Sequence, residues 1–113
     1  FVDGLYDYDA LFGVDFSTSK EQRVNTGESA MNHAMLFTGV DIDEEGNARR
    51  FRVENSWGEE PGEKGFFTMD AAWFDANVFE VAVHVNDLPE DLRAVITEEP
   101  LHLPAWDPMG ALA

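Results

Sequence analysis

Two polar residues stand where the surrounding sequence pattern calls for apolar side chains. His33 lies in the apolar stretch of residues 30–40, and Asn55 lies on an alternating face that also carries Phe51 and Val53. A histidine that acts as a base needs a second group to fix its tautomer and ring orientation, and an asparagine oxygen does this for a histidine paired with a thiolate. Either residue alone is more often a hydrogen-bonded core residue, but the pair fits nucleophilic catalysis by a thiol.

The thiol itself is missing, because none of the 113 residues is a cysteine. Disulfides and thiolate metal sites are therefore excluded within the chain. The sequence opens on Phe1 instead of Met, which suggests a segment of a longer polypeptide. Trp57 continues the alternating face of Asn55, and we expect its ring to shield the His33–Asn55 hydrogen bond from water.

Composition excludes several classes of partner. Hydrophobic residues make up 44% of the chain, which is typical of a globular protein. The formal net charge is −16, from 7 basic and 23 acidic side chains, and such a chain repels nucleic acid and anionic membranes. No apolar run is long enough to span a bilayer and no signal peptide is visible, and the lack of cysteine suits a cytoplasmic protein.

An acidic run invites a calcium-loop interpretation, which the spacing rejects. Asp41, Asp43 and Glu45 fit the first three ligand positions, but the twelfth position, where the loop needs Glu, falls on Arg52 inside a strand pattern. The remaining histidines, at positions 84 and 102, are too isolated to bind a metal. We expect neither a metal nor a cofactor.

The periodic segments predict an α+β fold with short helices, antiparallel strands and an extended C-terminal arm. Residues 5–12 predict a turn or a short helix, and further short helices are expected after Ser19, Asp70 and Pro89. The predicted strands cover residues 30–40, 51–57, 65–69 and 79–85. The arm contains three spaced prolines that rule out a regular helix: Pro100, Pro104 and Pro108.

Two motifs resemble those of papain-like cysteine peptidases. Asn32-His33-Ala34-Met35, followed by Thr38-Gly39, resembles the histidine motif of that family. Val53-Glu54-Asn55-Ser56-Trp57-Gly58, followed by Gly62 and Gly65-Phe66-Phe67, is similar to its asparagine motif with the glycine-rich loop. Because both motifs occur in the family's order, the resemblance is a strong one.

The departures from papain point to one branch of the family. Papain has a basic residue at the position of Glu54 and an aromatic residue at that of Pro61, whereas bleomycin hydrolase and the bacterial aminopeptidase C enzymes look like this chain here. Residues 26–35 and the ending at residues 103–113 also resemble that branch, although many of its members carry Thr at the position of Asn32. The resemblance covers nearly the whole chain, from about Leu5 to Ala113.

The resemblance implies a papain-like fold in which residues 1–98 form the His- and Asn-bearing, β-barrel-like half of a catalytic domain. The cysteine and an oxyanion-hole glutamine would lie upstream, on the N-terminal remainder of the same polypeptide. His33 would serve as the base, Asn55 would orient it, and Trp57 would cover the pair, with no cofactor required. The implied activity is removal of N-terminal residues from peptides by a thiol aminopeptidase.

The resemblance also assigns a role to residues 99–113, the C-terminal arm. In this branch the arm folds back into the active-site cleft, so the terminal carboxylate of Ala113 would face the free amino group of a peptide substrate. The resemblance further implies a homohexamer. Another class of function stays open: a papain-like module that has lost catalysis and serves binding or assembly, although the presence of both His33 and Asn55 argues against it.

Overall fold

The computed structural model describes residues 1–110, which form one three-stranded antiparallel sheet with short helices around it. The strands are β1 (Leu36–Ile42), β2 (Ala48–Glu54) and β3 (Phe66–Asp70), in the order β1-β2-β3. The helices are α1 (Tyr8–Phe12), α2 (Lys20–Asn25), α3 (Ala71–Asn77) and α4 (Glu90–Val95), with single 3₁₀ turns at Val85–Asp87 and Pro108–Gly110. This mixture of helices and antiparallel strands agrees with the predicted α+β class. No helix within the described range is long and apolar enough to cross a membrane.

The turn between β1 and β2 is built by Asp43. Its carboxylate Oδ1 accepts the backbone N–H groups of Asn47 at 2.7 Å and Glu45 at 3.1 Å. Gly46 takes a φ of 89°, which glycine adopts without strain. These bonds lower the pKa of the Asp43 carboxyl below its ordinary value of 3.8, with the Asn47 backbone N–H as the largest cause.

The core lies on one face of the sheet, where α3 packs against β2 and β3. Val53 and Met69, on neighbouring strands, are fully buried. The rings of Phe37, Phe51 and Phe74 meet beside them at centroid distances of 4.8 to 5.7 Å. The opposite face carries Arg50, paired with Asp41 at 2.8 Å, and Arg52, stacked on the Phe66 ring at 3.7 Å; the strand period therefore separates a core face from a charged one.

The predicted helix starts after Ser19 and Asp70 are confirmed. Ser19 forms a capping box with Gln22, and the Asp70 side chain accepts the backbone N–H of Ala72. Helix α4 begins directly after Pro89. These starts were predictable because each cap depends on residues next to it in sequence.

One predicted strand was wrong in its extent, and another does not form. Residues 30–35 are irregular and β1 begins only at Leu36, while residues 79–84 form no strand. The alternating valines at positions 81 and 83 are about half exposed, and no strand of the described part lies beside them. A strand needs a neighbour for its backbone hydrogen bonds, and alternation alone does not provide one.

Helix α2 is tied to the end of α3 by two basic side chains. The Lys20 ammonium donates to the carbonyls of Asp75 and Val78, and an Arg23 guanidinium N–H donates to the carbonyl of Ala76 at 2.6 Å. Helix C-termini attract positive charge because their last carbonyls lack intrahelical donors. This link fixes the segment that leads towards His33 against the sheet.

Candidate functional site

The β1–β2 hairpin brings the two singled-out polar residues to the same end of the sheet. Leu36 at the start of β1 pairs with Glu54 at the end of β2. His33 lies just before that start and Asn55 directly after that end, so the antiparallel register makes them neighbours. Neither residue is within a strand, which corrects their predicted strand positions. The irregular backbone on both sides instead lets the two side chains turn towards each other.

A hydrogen bond joins the imidazole to the amide. His33 Nε2 lies 2.9 Å from Asn55 Oδ1, and the same oxygen accepts the backbone N–H of Ser56 at 2.8 Å. Because the Ser56 N–H requires an acceptor, it fixes which end of the amide is oxygen. A carbonyl oxygen has no proton to give, so the proton of this bond lies on His33 Nε2. In the neutral ring His33 Nδ1 is then the unprotonated nitrogen and can accept a proton.

Asn55 is much more deeply buried than His33. Only 7% of its surface is exposed, and its backbone N–H donates to the carbonyl of Gly65 at 3.0 Å. Its Nδ2 is buried without a hydrogen-bond partner among the described residues. An unpaired buried donor is unfavourable, so stability alone does not explain an asparagine at this position.

A tight glycine loop between Asn55 and Gly65 shapes this end of the sheet. Gly65 is buried with a φ of 84°, and a Cβ there would lie 2.7 Å from the carbonyl oxygen of Gly58. Both the backbone angle and the close approach exclude a side chain at this position. The loop therefore needs glycine at residue 65 in order to return to β3 and to accept the Asn55 N–H.

The Trp57 ring lies against the imidazole from the loop after β2, and not from the strand position that the sequence predicted. Its ring stacks on His33 with centroids 5.3 Å apart and an interplanar angle of 27°. Trp57 does not share a buried strand face with Val53, because β2 ends at Glu54 and the indole is 61% exposed. One contact was missed at the sequence level: the Phe67 ring meets the indole in a T-shaped arrangement, with centroids 6.2 Å apart and an interplanar angle of 84°. The pairing of Phe67 with Val53 in neighbouring strands places that ring near the end of β2, and the sequence pattern carries no signal for this register.

In this arrangement the Asn55 amide orients the His33 imidazole and the Trp57 indole stacks on it. The Nδ1 nitrogen of His33 is left to exchange a proton. A sequence model of the Peptidase C1-like family matches residues 2–110. The chain belongs to the Peptidase C1-like family. Several named proteins are similar to almost the whole chain.

The named relatives are about four times as long as this chain. Aminopeptidase C of Lactobacillus helveticus is 50% identical over 112 residues, which cover 96% of this chain and 25% of that protein. Human bleomycin hydrolase is 49% identical with the same coverage. The crystal structure of PepW from Lactobacillus rhamnosis matches with a TM-score of 0.83 and 46% identity over 95% of this chain and 24% of that one. The chain therefore spans about a quarter of the length of the relatives it matches.

The remaining positions singled out in the sequence of this Peptidase C1-like chain are Ala113 and the other histidines. Ala113 lies outside the described residues. His84 accepts the backbone N–H of Asn86 through its Nδ1 at 3.2 Å, as a local cap. Within residues 1–110, no group of three or more His, Cys, Asp or Glu side chains could hold a metal ion.

Proposed function

We propose that this chain is the His- and Asn-bearing segment of a thiol aminopeptidase that removes N-terminal residues from peptides. The observation that carries the proposal is the hydrogen bond from His33 Nε2 to Asn55 Oδ1, with Trp57 stacked over the imidazole. The names of the relatives, aminopeptidase C and bleomycin hydrolase, support the same class of reaction.

The geometry suits acyl transfer through a thiol supplied from outside these residues. His33 Nδ1 takes the thiol proton, and the resulting thiolate attacks the carbonyl carbon of the scissile peptide bond. The imidazolium then returns the proton to the leaving amine, and a water molecule hydrolyses the thioester with His33 acting again as base. Asn55 keeps the ring oriented throughout these steps. Donors near the thiol, including an upstream glutamine, stabilise the oxyanion.

The extent of exposed surface supports a nucleophile on the remainder of the same polypeptide. The chain has an accessible surface of 9399 Å², whereas a compact monomer of this mass exposes about 6,200 Å². Its radius of gyration is 17.1 Å, against about 13 Å for a compact domain of this length. Large apolar side chains are exposed along both ends of the chain, among them Leu5, Phe12, Leu101 and Trp106. Such a surface requires cover, and a cysteine-bearing half of the enzyme would provide it.

We assign residues 1–98 to a β-barrel-like half of the catalytic domain. The backbone of Phe1 donates to Thr68 and accepts from Asp70, so the free edge of β3 is already used by a residue outside the three strands. A strand that includes Phe1 would extend the sheet at this edge, and further strands beyond it would extend the sheet towards a barrel. Papain-like architecture is also consistent with the likeness to PepW.

We assign residues 99–113 to an arm that restricts the enzyme to free N-termini. The terminal carboxylate of Ala113 would attract the ammonium group of a peptide substrate and block longer chains from passing through the cleft. Deletion of Leu112 and Ala113 from the full-length protein is expected to shift activity from aminopeptidase towards endopeptidase cleavage. Unchanged preference for a free N-terminus after the deletion would contradict this role of the arm.

The enzyme is further proposed to be a cytoplasmic homohexamer that acts without metal, nucleic acid or membrane. The net charge of −16 supports the lack of nucleic-acid and anionic-membrane partners, since both carry negative charge. The absence of cysteine in this segment suits a reducing compartment. Sedimentation of the full-length protein tests the hexamer.

The central experiment is hydrolysis of an aminoacyl amide by the full-length protein, with and without a thiol-alkylating agent. We expect alkylation to abolish cleavage and His33→Ala to lower kcat by about 10²–10⁴-fold, the usual contribution of a general base. His84→Ala is the matched control, because that imidazole only caps a local turn. An inert full-length protein would favour the non-catalytic binding module, and activity that resists alkylation would exclude a thiol mechanism.

A further inference from the structure

Trp57 is positioned by contacts between rings and not by a hydrogen bond. It follows β2 in the loop, and no side-chain hydrogen bond to its indole exists within residues 1–110. Its aromatic neighbours are the imidazole of His33, which stacks on it, and the ring of Phe67, which lies nearly perpendicular to it. The imidazole changes its protonation state during catalysis. Phe67 is the aromatic neighbour that stays unchanged and can hold the indole in place.

Phe67 is itself well anchored. It lies on β3 opposite the fully buried Val53 of β2. A Cβ on Gly62 would lie only 3.0 Å from its Cζ, so the backbone of the glycine loop passes directly over the ring. The Phe1 ring packs on it at a centroid distance of 5.6 Å. The ring is therefore enclosed by strand, loop and a second ring.

We propose that Phe67 is a positioning residue for catalysis, whose ring keeps the Trp57 indole stacked on the His33 imidazole. The proposal rests on the proposed thiol aminopeptidase function. The two rings meet in a T-shaped arrangement, in which the positive edge of one ring faces the negative face of the other, and this favours one orientation of Trp57. With the indole in place, water is kept from the bond between His33 and Asn55, and that bond is stronger in the drier surroundings.

Phe66 provides a matched control on the same strand. It neighbours Phe67 in sequence, but its ring lies on the other face of the sheet, under the guanidinium of Arg52. No ring contact joins Phe66 to Trp57 within the described residues. Phe66→Leu and Phe67→Leu are therefore the same chemical change on opposite faces, and only one of them touches the indole.

The test compares kcat and KM of these variants in the full-length protein with an aminoacyl amide as substrate. Phe67→Leu is expected to lower kcat by up to about tenfold, the rate equivalent of one aromatic pair, with KM unchanged. Phe66→Leu should leave kcat unchanged. Equal losses of kcat in Phe66→Leu and Phe67→Leu would overturn the proposal, as would an unchanged kcat in Phe67→Leu.

A second measurement asks whether Phe67 acts through Trp57. In a Trp57→Ala background, Phe67→Leu is expected to cause no further loss of kcat, and an additional full loss would contradict the proposal. The proposed thiol aminopeptidase function and the role of Phe67 are contradicted by different outcomes. Full activity in both His33→Ala and Trp57→Ala would exclude the proposed function, whereas low activity in those variants with an unchanged Phe67→Leu enzyme would exclude only the role of Phe67.

Discussion

The sheet with its glycine loop and the flanking ends of the chain are held by different kinds of interaction. In the sheet region, Val53 and Met69 are fully buried and Asn55 and Gly65 nearly so, and each contacts residues within the same short span. At the ends, residues 5–16 and 81–109 present many large apolar side chains to solvent. Helices α1 and α4 contain no buried residue.

This difference separates what the chain builds alone from what needs a partner. The hairpin register and the loop already place His33 against Asn55 without any contribution from outside the chain. The ends have regular local structure but little to pack against among residues 1–110, so we expect a partner surface to stabilise them. The candidate site thus depends mainly on the self-sufficient region.

The largest expected effect is that of Gly65→Ala. A left-handed φ costs an L-residue roughly 1–2 kcal/mol, and the clash with the Gly58 carbonyl adds a strain of about 1–3 kcal/mol. We expect unfolding of the full-length protein to require about 2–5 kcal/mol less free energy, together with loss of activity. Gly46→Ala, at a similar φ of 89° but with open space around it, controls for the backbone angle alone. Equal effects of the two substitutions would show that the loop is not tightly packed.

Trp106→Ala tests whether another surface covers the exposed ends of the chain. The indole is 82% exposed in this chain, and an exposed side chain contributes little to stability. If the remainder of the polypeptide covers the arm, the substitution should lower the stability of the full-length protein by about 1.5–3 kcal/mol, the value of burying one large apolar side chain. A loss below about 0.5 kcal/mol, typical of a surface position, would indicate that the arm stays exposed.

The smallest expected effect is a pH dependence at the β1–β2 turn. Hydrogen bonds from Asn47 and Glu45 lower the pKa of Asp43 in the folded state, so its contribution to stability is fully present above the ordinary value of 3.8. That contribution is lost as the pH falls through the lowered pKa, when the carboxylate is protonated. The difference in Tm between wild type and Asp43→Ala should therefore shrink with acidification below about pH 4. Glu44→Ala serves as control, and a difference independent of pH would contradict the assignment.

Local signals predicted much of this structure. The capping residues Ser19 and Asp70 marked helix starts because their hydrogen bonds reach only two or three residues along the chain. The strand around Val53 followed from its alternation. The pairing of His33 with Asn55 was predicted from residue types and motif, and the hydrogen bond between them is present.

Features that depend on distant partners were harder to predict. The alternation after Phe79 suggested a strand, but a strand forms only beside another strand. The contact between Phe67 and Trp57 depends on the register between β2 and β3 and on the path of the glycine loop. The spacing of apolar residues in the sequence predicts neither of them. Both misses therefore concern pairing between segments, which the periodicity of a single segment does not specify.

The most direct test of the catalytic pair is a double-mutant cycle on kcat/KM in the full-length protein, with a substrate whose good leaving group keeps residual rates measurable. His33→Ala, Asn55→Ala and the double variant are compared with wild type. If the asparagine acts only by orienting the imidazole, the double variant should be no slower than His33→Ala, since residues that act as a unit are not additive. Losses that multiply in the double variant would show that the two side chains act independently and would contradict the account.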